Sequence, residues 1–451
     1  VRRRFCTSLA ATGSLALAGV IGAPALAEKP GIEEPVGPST GIASYVEAVG
    51  PGVRTSSLLT VGDRVGGYRM VGIPDGLGAY REDGGSLRLL MNHELNDLQG
   101  VPRRHGYRGA FVSEWSVDRK SFAVTAGRDL IDPGLQYWDY LGGAYASFPS
   151  AGFTPELDRF CSNTLTEPGQ LYNADTGNGY GGRLFMPTEE NGVNGRVFAL
   201  TTDGQMAQLA RFGLASRENS APAFNRTDRT LVLSLEDEAD GQMWVYAGEK
   251  QASGSPFDRA GLTNGAVSVV SVPGVANDAQ FRSAFGKGEA ARFALAGVDW
   301  NQSGAAQNAQ AKADGLSLNR IEDGHWDPQR PNDFYFVTTE GGSGADVPVG
   351  RFGRDGGGLW RMTFDDIERP ELGGTLTLLL DGSEPPYLNK PDNMAIDGLG
   401  NLLIQEDPGN NVGLARIVAY RLSDGARGVL AAFDAELFGW TGKKLPNGNP
   451  V

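Results

Sequence analysis

Cysteine is almost missing from this chain: there are two, Cys6 and Cys161, in 451 residues. That excludes a disulfide-stapled scaffold and leaves Cys161 as a lone thiol once an N-terminal leader is removed. Histidine is nearly as scarce, with three in the whole sequence, which argues against a His-rich zinc hydrolase site. Positive charge is in the minority, 40 Lys and Arg against 54 Asp and Glu for a net charge of −14. Such a balance argues against nucleic acid as a partner. Beyond residue 27 no apolar run approaches the ~20 residues that a membrane-spanning helix needs, so a soluble mature protein, monomeric and free of the membrane, is expected.

The first 27 residues have the pattern of an export signal. Arg2-Arg3-Arg4-Phe5 precedes a weakly apolar stretch from Leu9 to Ile21, and Ala25-Leu26-Ala27 resembles a cleavage site. Paired arginines ahead of a modest hydrophobic region match a twin-arginine leader. A periplasmic or secreted protein is expected, with residues 28–451 forming a single catalytic domain. The Arg-rich start also fits an ordinary secretory signal. Glycine is abundant, at 65 residues, which suits a fold with many tight turns.

The chain is organised around residues 183–246, where one unit occurs twice. Leu184-Phe185-Met186 runs into Thr188-Glu189-Glu190-Asn191-Gly192, and Val197-Phe198-Ala199-Leu200 follows. Leu231-Val232-Leu233-Ser234-Leu235 runs into Glu236-Asp237-Glu238, and Met243-Trp244-Val245-Tyr246 follows. Each apolar run reads as a strand, but strand patterning does not demand two or three acids at its exit. The pattern recurs at Asn92-His93-Glu94, at Thr338-Thr339-Glu340 and at Gln405-Glu406-Asp407. The smallest gap, from 189 to 236, is 47 residues. A strand-built repeat of roughly 40–50 residues predicts an all-β propeller. Five or six blades are expected, six being favoured; the wider gaps suggest one skipped or degenerate unit and one carrying an insertion. Irregular insertions and short helices over 276–285 and 302–312 are expected between strands. A Gly-rich loop over 341–358 and a loose tail over 443–451 are also expected.

Equivalent exits would aim their acids at one central pit, where the charges repel unless cations neutralise them. Oxygen-rich sites of this kind favour calcium. Cys161, in the polar setting Asp158-Arg159-Phe160-Cys161-Ser162-Asn163, adds a soft ligand that suits iron better; a buried, inert thiol is the plain alternative. The candidate metal ligands are Glu94, Cys161, Glu189, Glu190, Glu236, Glu238, Glu322, Asp392, Glu406 and Asp407, with Asp237 and Glu340 among the inward acids. In extended chain Arg320 and Glu322 share a face. An arginine beside metals suggests an anionic substrate held by its guanidinium fork, with phosphoester hydrolysis as the leading reaction. A surface ion pair between the two is the plain alternative.

Asn92-His93-Glu94, Thr188-Glu189-Glu190-Asn191, Arg320-Ile321-Glu322-Asp323-Gly324 and Pro391-Asp392-Asn393 followed by Gly400-Asn401-Leu402 resemble, in that order, motifs of the PhoX-type alkaline phosphatases. The resemblance implies twin-arginine export, a β-propeller, and calcium with iron acting on phosphomonoesters. It implies Cys161 as the iron thiolate, Glu94, Glu190 and Glu322 as metal ligands, and Arg320 as the phosphate-binding catalytic residue. Two other readings stay open: a calcium-dependent propeller lactonase or esterase, and a non-catalytic exported calcium-binding propeller.

Overall fold

Most strands of this chain are apolar at consecutive positions, which requires burial on both faces. The computed structural model, which describes residues 37–438 apart from 83, 342–355 and 410–412, meets that need by stacking antiparallel sheets face to face. The expected leader over 1–27, most of the Gly-rich loop and the tail over 443–451 lie outside the described residues.

Five sheet units follow one another along the chain. Blade 1 consists of Pro74–Arg81, Ser86–His93, Phe111–Asp118 and Val124–Asp129. Blade 2 opens with residues 160–165, tied by single bridges to Leu184–Phe185, and continues through Phe198–Thr201 and Met206–Gln208. Blade 3 is Arg217–Pro222, Arg229–Glu236, Met243–Glu249 and Ala266–Ser271. Blade 4 is Ile321–Trp326, Asp333–Thr338, Gly358–Phe364 and Gly374–Leu380. Blade 5 is Pro391–Ile396, Asn401–Glu406, Arg416–Arg421 and Arg427–Phe433. Its outer edge is completed by Val46–Ala48 from the start of the described chain. This pairing fastens the last blade to the first and leaves one fewer free edge.

The propeller has five blades among the described residues, not the favoured six. No unit is degenerate; the wide gaps are insertions. Residues 130–159 separate blade 1 from the inner strand of blade 2. Between blades 3 and 4 lie the helices Asp278–Ala284 and Gly304–Asp314, as the sequence predicts, and the strand Ala290–Val298. That strand pairs with the outer strands of both blades and fuses them into one nine-stranded sheet.

Alternate residues of one strand serve different neighbours. Leu231, Leu233 and Leu235 of blade 3 pack with Trp326, Phe334, Phe336 and Trp360 of blade 4. Val232, between them, faces Leu184, Met186 and Val197 of blade 2. In blade 4, Tyr335 and Val337 turn to Leu402, Ile404 and Val418 of blade 5. Leu90 and Val112 of blade 1 meet Phe160, Phe185 and Phe198 of blade 2.

The same alternation governs the acids at the strand exits. Glu189, Glu236 and Glu406 are each the residue facing the start of the inner strand, and each is buried within its blade. Glu189 is gripped by Arg196, with Nε to Oε2 and Nη2 to Oε1 both 2.6 Å. Glu406 takes Arg416, with Nε to Oε2 at 2.8 Å. Glu236 accepts the Trp244 indole N–H at 2.8 Å and the Gln242 amide at 3.0 Å. In blade 4 the equivalent residue is Thr338, which accepts the Trp360 indole N–H at 3.1 Å. Breaking one side of a buried ion pair strands the other charge, at a cost of about 3–5 kcal/mol. Glu406→Gln is therefore expected to lower the unfolding free energy by that order while leaving any metal affinity unchanged; an unaltered stability with weakened metal binding would reverse the assignment.

Candidate metal centre

All five inner strands share one defect. In blade 1, Pro74 faces His93 but Leu77 faces Met91, so three steps on the inner strand match two on its partner. The same three-against-two shift lies between Arg217 and Ser220, between Ile321 and Gly324, and between Pro391 and Met394. In blade 2 the bridges Phe160–Glu189 and Leu165–Phe185 set five steps against four. A bulge of this type re-aims the extra side chain. The first bulge residues are Asp75, Cys161, Glu218, Glu322 and Asp392, so every inner strand presents an acid or the lone thiol there. Gly76 follows Asp75 because the neighbouring strand is too close for a side chain. A Cβ there would lie 2.1 Å from Asn163 Nδ2 and 2.7 Å from the Ser162 carbonyl carbon.

The residue after each buried exit position supplies a second tier: Glu94, Glu190, Asp237, Thr339 and Asp407. Together the tiers make overlapping ligand sets. Asp75, Cys161 and Glu218 form one, and Glu94, Cys161 and Glu190 another. Glu190, Glu218 and Asp237 form a third, and Glu218, Glu322 and Asp392 a fourth. Within each set the ligand atoms lie within 4.8 Å of one another.

The structure thus brings together Glu94, Cys161, Glu190, Glu322 and Asp392 of the sequence candidates. It turns Glu189, Glu236 and Glu406 into the blades, because neighbours on a strand point to opposite faces. Glu238 is exposed beyond the cluster, where its carbonyl accepts the Arg320 amide at 2.9 Å. Asp407 is exposed too, although its charge is felt at Asp392. Asp75, Glu218 and Arg159 escaped sequence reasoning, which followed the exits of second strands and not the starts of first ones. A signal was present: Pro74-Asp75-Gly76 parallels Pro391-Asp392-Asn393, and Arg217-Glu218-Asn219 stands in the register of Ile321-Glu322-Asp323.

The acids of this cluster are held away from their ionised forms. Burial, helped by Glu94, pushes the Asp75 carboxyl up to about 7. Burial also raises Glu190 to about 7, against the pull of Arg159. Glu218, Glu322 and Asp392 are all raised by burial and by the other acids of the cluster. Cys161 is pushed up by burial and then by Glu218 and Asp75; its Sγ lies 3.6 Å from Asp75 Oδ2. Glu218 Oε1 is buried with no hydrogen-bond partner. Two arginines bring positive charge to the cluster. Arg159 Nη2 lies 2.6 Å from both Glu94 Oε1 and Glu190 Oε2. Arg320 clasps Asp237 with two bonds of 2.8 Å and reaches Glu322 Oε1 at 2.9 Å. Arg320 and Glu322 meet as expected, but not through extended backbone, since Arg320 has φ +57°.

Carboxyls whose folded pKa exceeds the unfolded value stabilise the fold below the unfolded value, and that contribution is lost as pH rises through the folded one. In chelator, the melting temperature should therefore fall as pH rises from about 4 to about 7, the value at Asp75 and Glu190. Excess calcium should flatten that slope; a melting temperature that rises across this window in chelator would contradict the clustering.

No protein-family model matches the chain, and no curated protein matches it in sequence. Among solved structures, the chain is similar to PhoX from Pseudomonas fluorescens in complex with vanadate, a transition-state analogue. The TM-score is 0.52 at 12% identity, over 80% of this chain and 79% of that one. A gluconolactonase from Xanthomonas campestris matches with a TM-score of 0.26 at 13% identity, over 80% and 87% of the two chains, too loose to bear on this one. An α-L-arabinofuranosidase from Clostridium thermocellum is equally loose, with a TM-score of 0.28 at 12% identity over 81% and 95%. The first likeness supports the propeller fold. Among the described residues no helix is long and apolar enough to cross a membrane.

Proposed function

We propose that this chain is an exported, metal-dependent phosphatase that hydrolyses phosphate monoesters at the axial cluster. The observation that carries the reading is the arrangement of Arg320 over a ring of carboxylates that includes one thiol. Hard oxygen ligands at this density suit calcium. The single sulfur, placed between two of the carboxylate sets, suits iron. Asp75, Glu94, Cys161 and Glu190 would hold iron, and Glu218, Asp237, Glu322 and Asp392 calcium. Bound cations would polarise a phosphoryl oxygen and lower the pKa of an attacking water.

The chain's own residues do the rest. Arg320 presents a planar fork that matches two oxygens of a phosphoryl group, and Asp237 and Glu322 hold that fork at the cluster. The Arg320 side chain is 35% exposed, so the site is open to a ligand on that side. The net charge of −14 fits a small anionic ester better than nucleic acid. A monomer in the periplasm or outside the cell completes the reading, in keeping with the twin-arginine pattern of residues 1–27. The likeness to a PhoX structure that binds vanadate supports it.

Removing one preorganised charge from the transition state costs on the order of 10²–10³ in rate. Arg320→Ala should lose that much on a simple aryl phosphate, and Arg320→Lys should recover little of it. A turnover near wild type in both variants, with metal content intact, would remove the phosphatase reading and favour a lactonase or a structural calcium propeller. Cys161→Ser should lose iron by elemental analysis of protein from its native host. Full iron retention would make Cys161 a packed thiol only. Chelation should abolish hydrolysis and added calcium should restore it; full activity after verified metal loss would refute metal dependence altogether.

A further inference from the structure

Two residues before the bulge position stands a cation in three of the five blades: Arg159, Arg320 and Lys390. In the other two the position holds Ile73 and Ser216. All three cations have left-handed backbone, with φ of +41°, +57° and +52°. Only one other non-glycine residue among the described residues does so, Phe122 in a turn. That conformation is unfavourable for a residue with a Cβ and persists where surrounding structure enforces it. It recurs here at three equivalent positions, although Ile73, whose carbonyl accepts the Glu94 amide at 2.9 Å in the same frame, does not share it. The carbonyls of Arg159, Arg320 and Lys390 accept the amides of Glu190, Thr339 and Asp407, each at 3.0 Å. The three side chains therefore leave the backbone in equivalent directions.

Around this rim cations and acids alternate. Arg159 is tied to Glu94 and Glu190, and the charge of Asp237 acts on Glu190. Arg320 is tied to Asp237, and the charge of Glu340 acts on Arg320. Lys390 Nζ lies 2.9 Å from Glu340 Oε1. Arg320 and Lys390 thus share Glu340 as a neighbour. Arg159 is bound to two carboxylates of the cysteine cluster. Among the described residues Lys390 pairs with a single acid, which is 37% exposed, while the Lys390 side chain itself is 11% exposed. Lys390 therefore has fewer carboxylate bonds to give up to a ligand than Arg159 or Arg320.

We propose that Lys390 is a specificity-determining residue that selects phosphate esters carrying a second anionic group, a carboxylate or another phosphate, on the leaving group. The proposal rests on the phosphatase reading: Arg320 takes the reacting phosphoryl group and Lys390, from the adjacent blade, takes the second charge. Glu340 competes for Lys390, and its charge also acts on Arg320, so its removal should favour both anionic groups and the second, which Lys390 receives, the more.

Metal-reconstituted wild type, Lys390→Gln and Glu340→Gln can be compared on ethyl phosphate and phosphoglycolate, which differ by a methyl against a carboxylate. A charged hydrogen bond of ordinary strength corresponds to about tenfold. In Lys390→Gln the ratio of kcat/KM for phosphoglycolate over ethyl phosphate should fall by about that factor, with ethyl phosphate turned over almost as before. In Glu340→Gln the ratio should rise, an opposite sign that loss of folding does not produce. Equal changes on both substrates in both variants would overturn the proposal. If wild type hydrolyses neither ester, the phosphatase reading fails. Calorimetric binding of pyrophosphate against orthophosphate then decides whether Lys390 reads a second anionic group apart from any hydrolysis: Lys390→Gln should abolish a preference for pyrophosphate, and a preference that is unchanged, or absent in wild type, overturns that role.

Discussion

Mutual repulsion among buried carboxylates is the constraint on which this molecule turns. Five inner strands converge on one axis, and each carries its bulge at the same height. Asp75, Glu218, Glu322 and Asp392 are thereby forced together with Cys161, in surroundings that disfavour their ionised forms. Hydrophobic packing between blades holds the strands there whether or not the charges are content. The fold supplies the energy that keeps the acids close, and a cation is the natural means of releasing the strain.

The blades also show how a strand can carry two acids in succession without doubling that repulsion. Glu189 and Glu190, Glu236 and Asp237, and Glu406 and Asp407 are adjacent pairs with opposite duties. The first of each pair points into the blade and is neutralised or hydrogen-bonded by Arg196, Trp244 with Gln242, or Arg416. The second faces the axis or its mouth. Blade 4 lacks the charged pair and uses Thr338 and Thr339, with Trp360 bonding the first as Trp244 bonds Glu236. The blades differ in charge while keeping one hydrogen-bonding scheme, which is what a repeated backbone with divergent side chains should give.

Cations enter the same frame from the inner-strand side. Arg159, Arg320 and Lys390 occupy equivalent left-handed positions, and their carbonyls are spent on the second tier's amides. Backbone and side chain therefore act together: the amide bonds that fix the acids' strand also fix the direction of the cations. Acidic and cationic side chains are set side by side by one architectural unit, the junction between a bulged inner strand and the exit of its partner.

Much of this was legible in the sequence. The apolar runs 184–186, 231–235, 334–337 and 402–404 specify strands buried on both faces, and their recurrence with Gly-containing turns specifies a propeller. The acids at the exits, Glu94, Glu190 and Asp237 among them, announce an acidic axis. What sequence could not separate was Glu189 from Glu190 or Glu236 from Asp237, because identical chemistry at adjacent positions is sorted only by which face of the strand meets the axis. Nor could it find Asp75 and Glu218, whose places depend on a one-residue bulge set by pairing with a distant strand. The blade number likewise awaited the tertiary structure, since an insertion such as 130–159 and a lost repeat leave the same gap in the chain. Local pattern determined the strands and their charge; long-range register decided which charges meet.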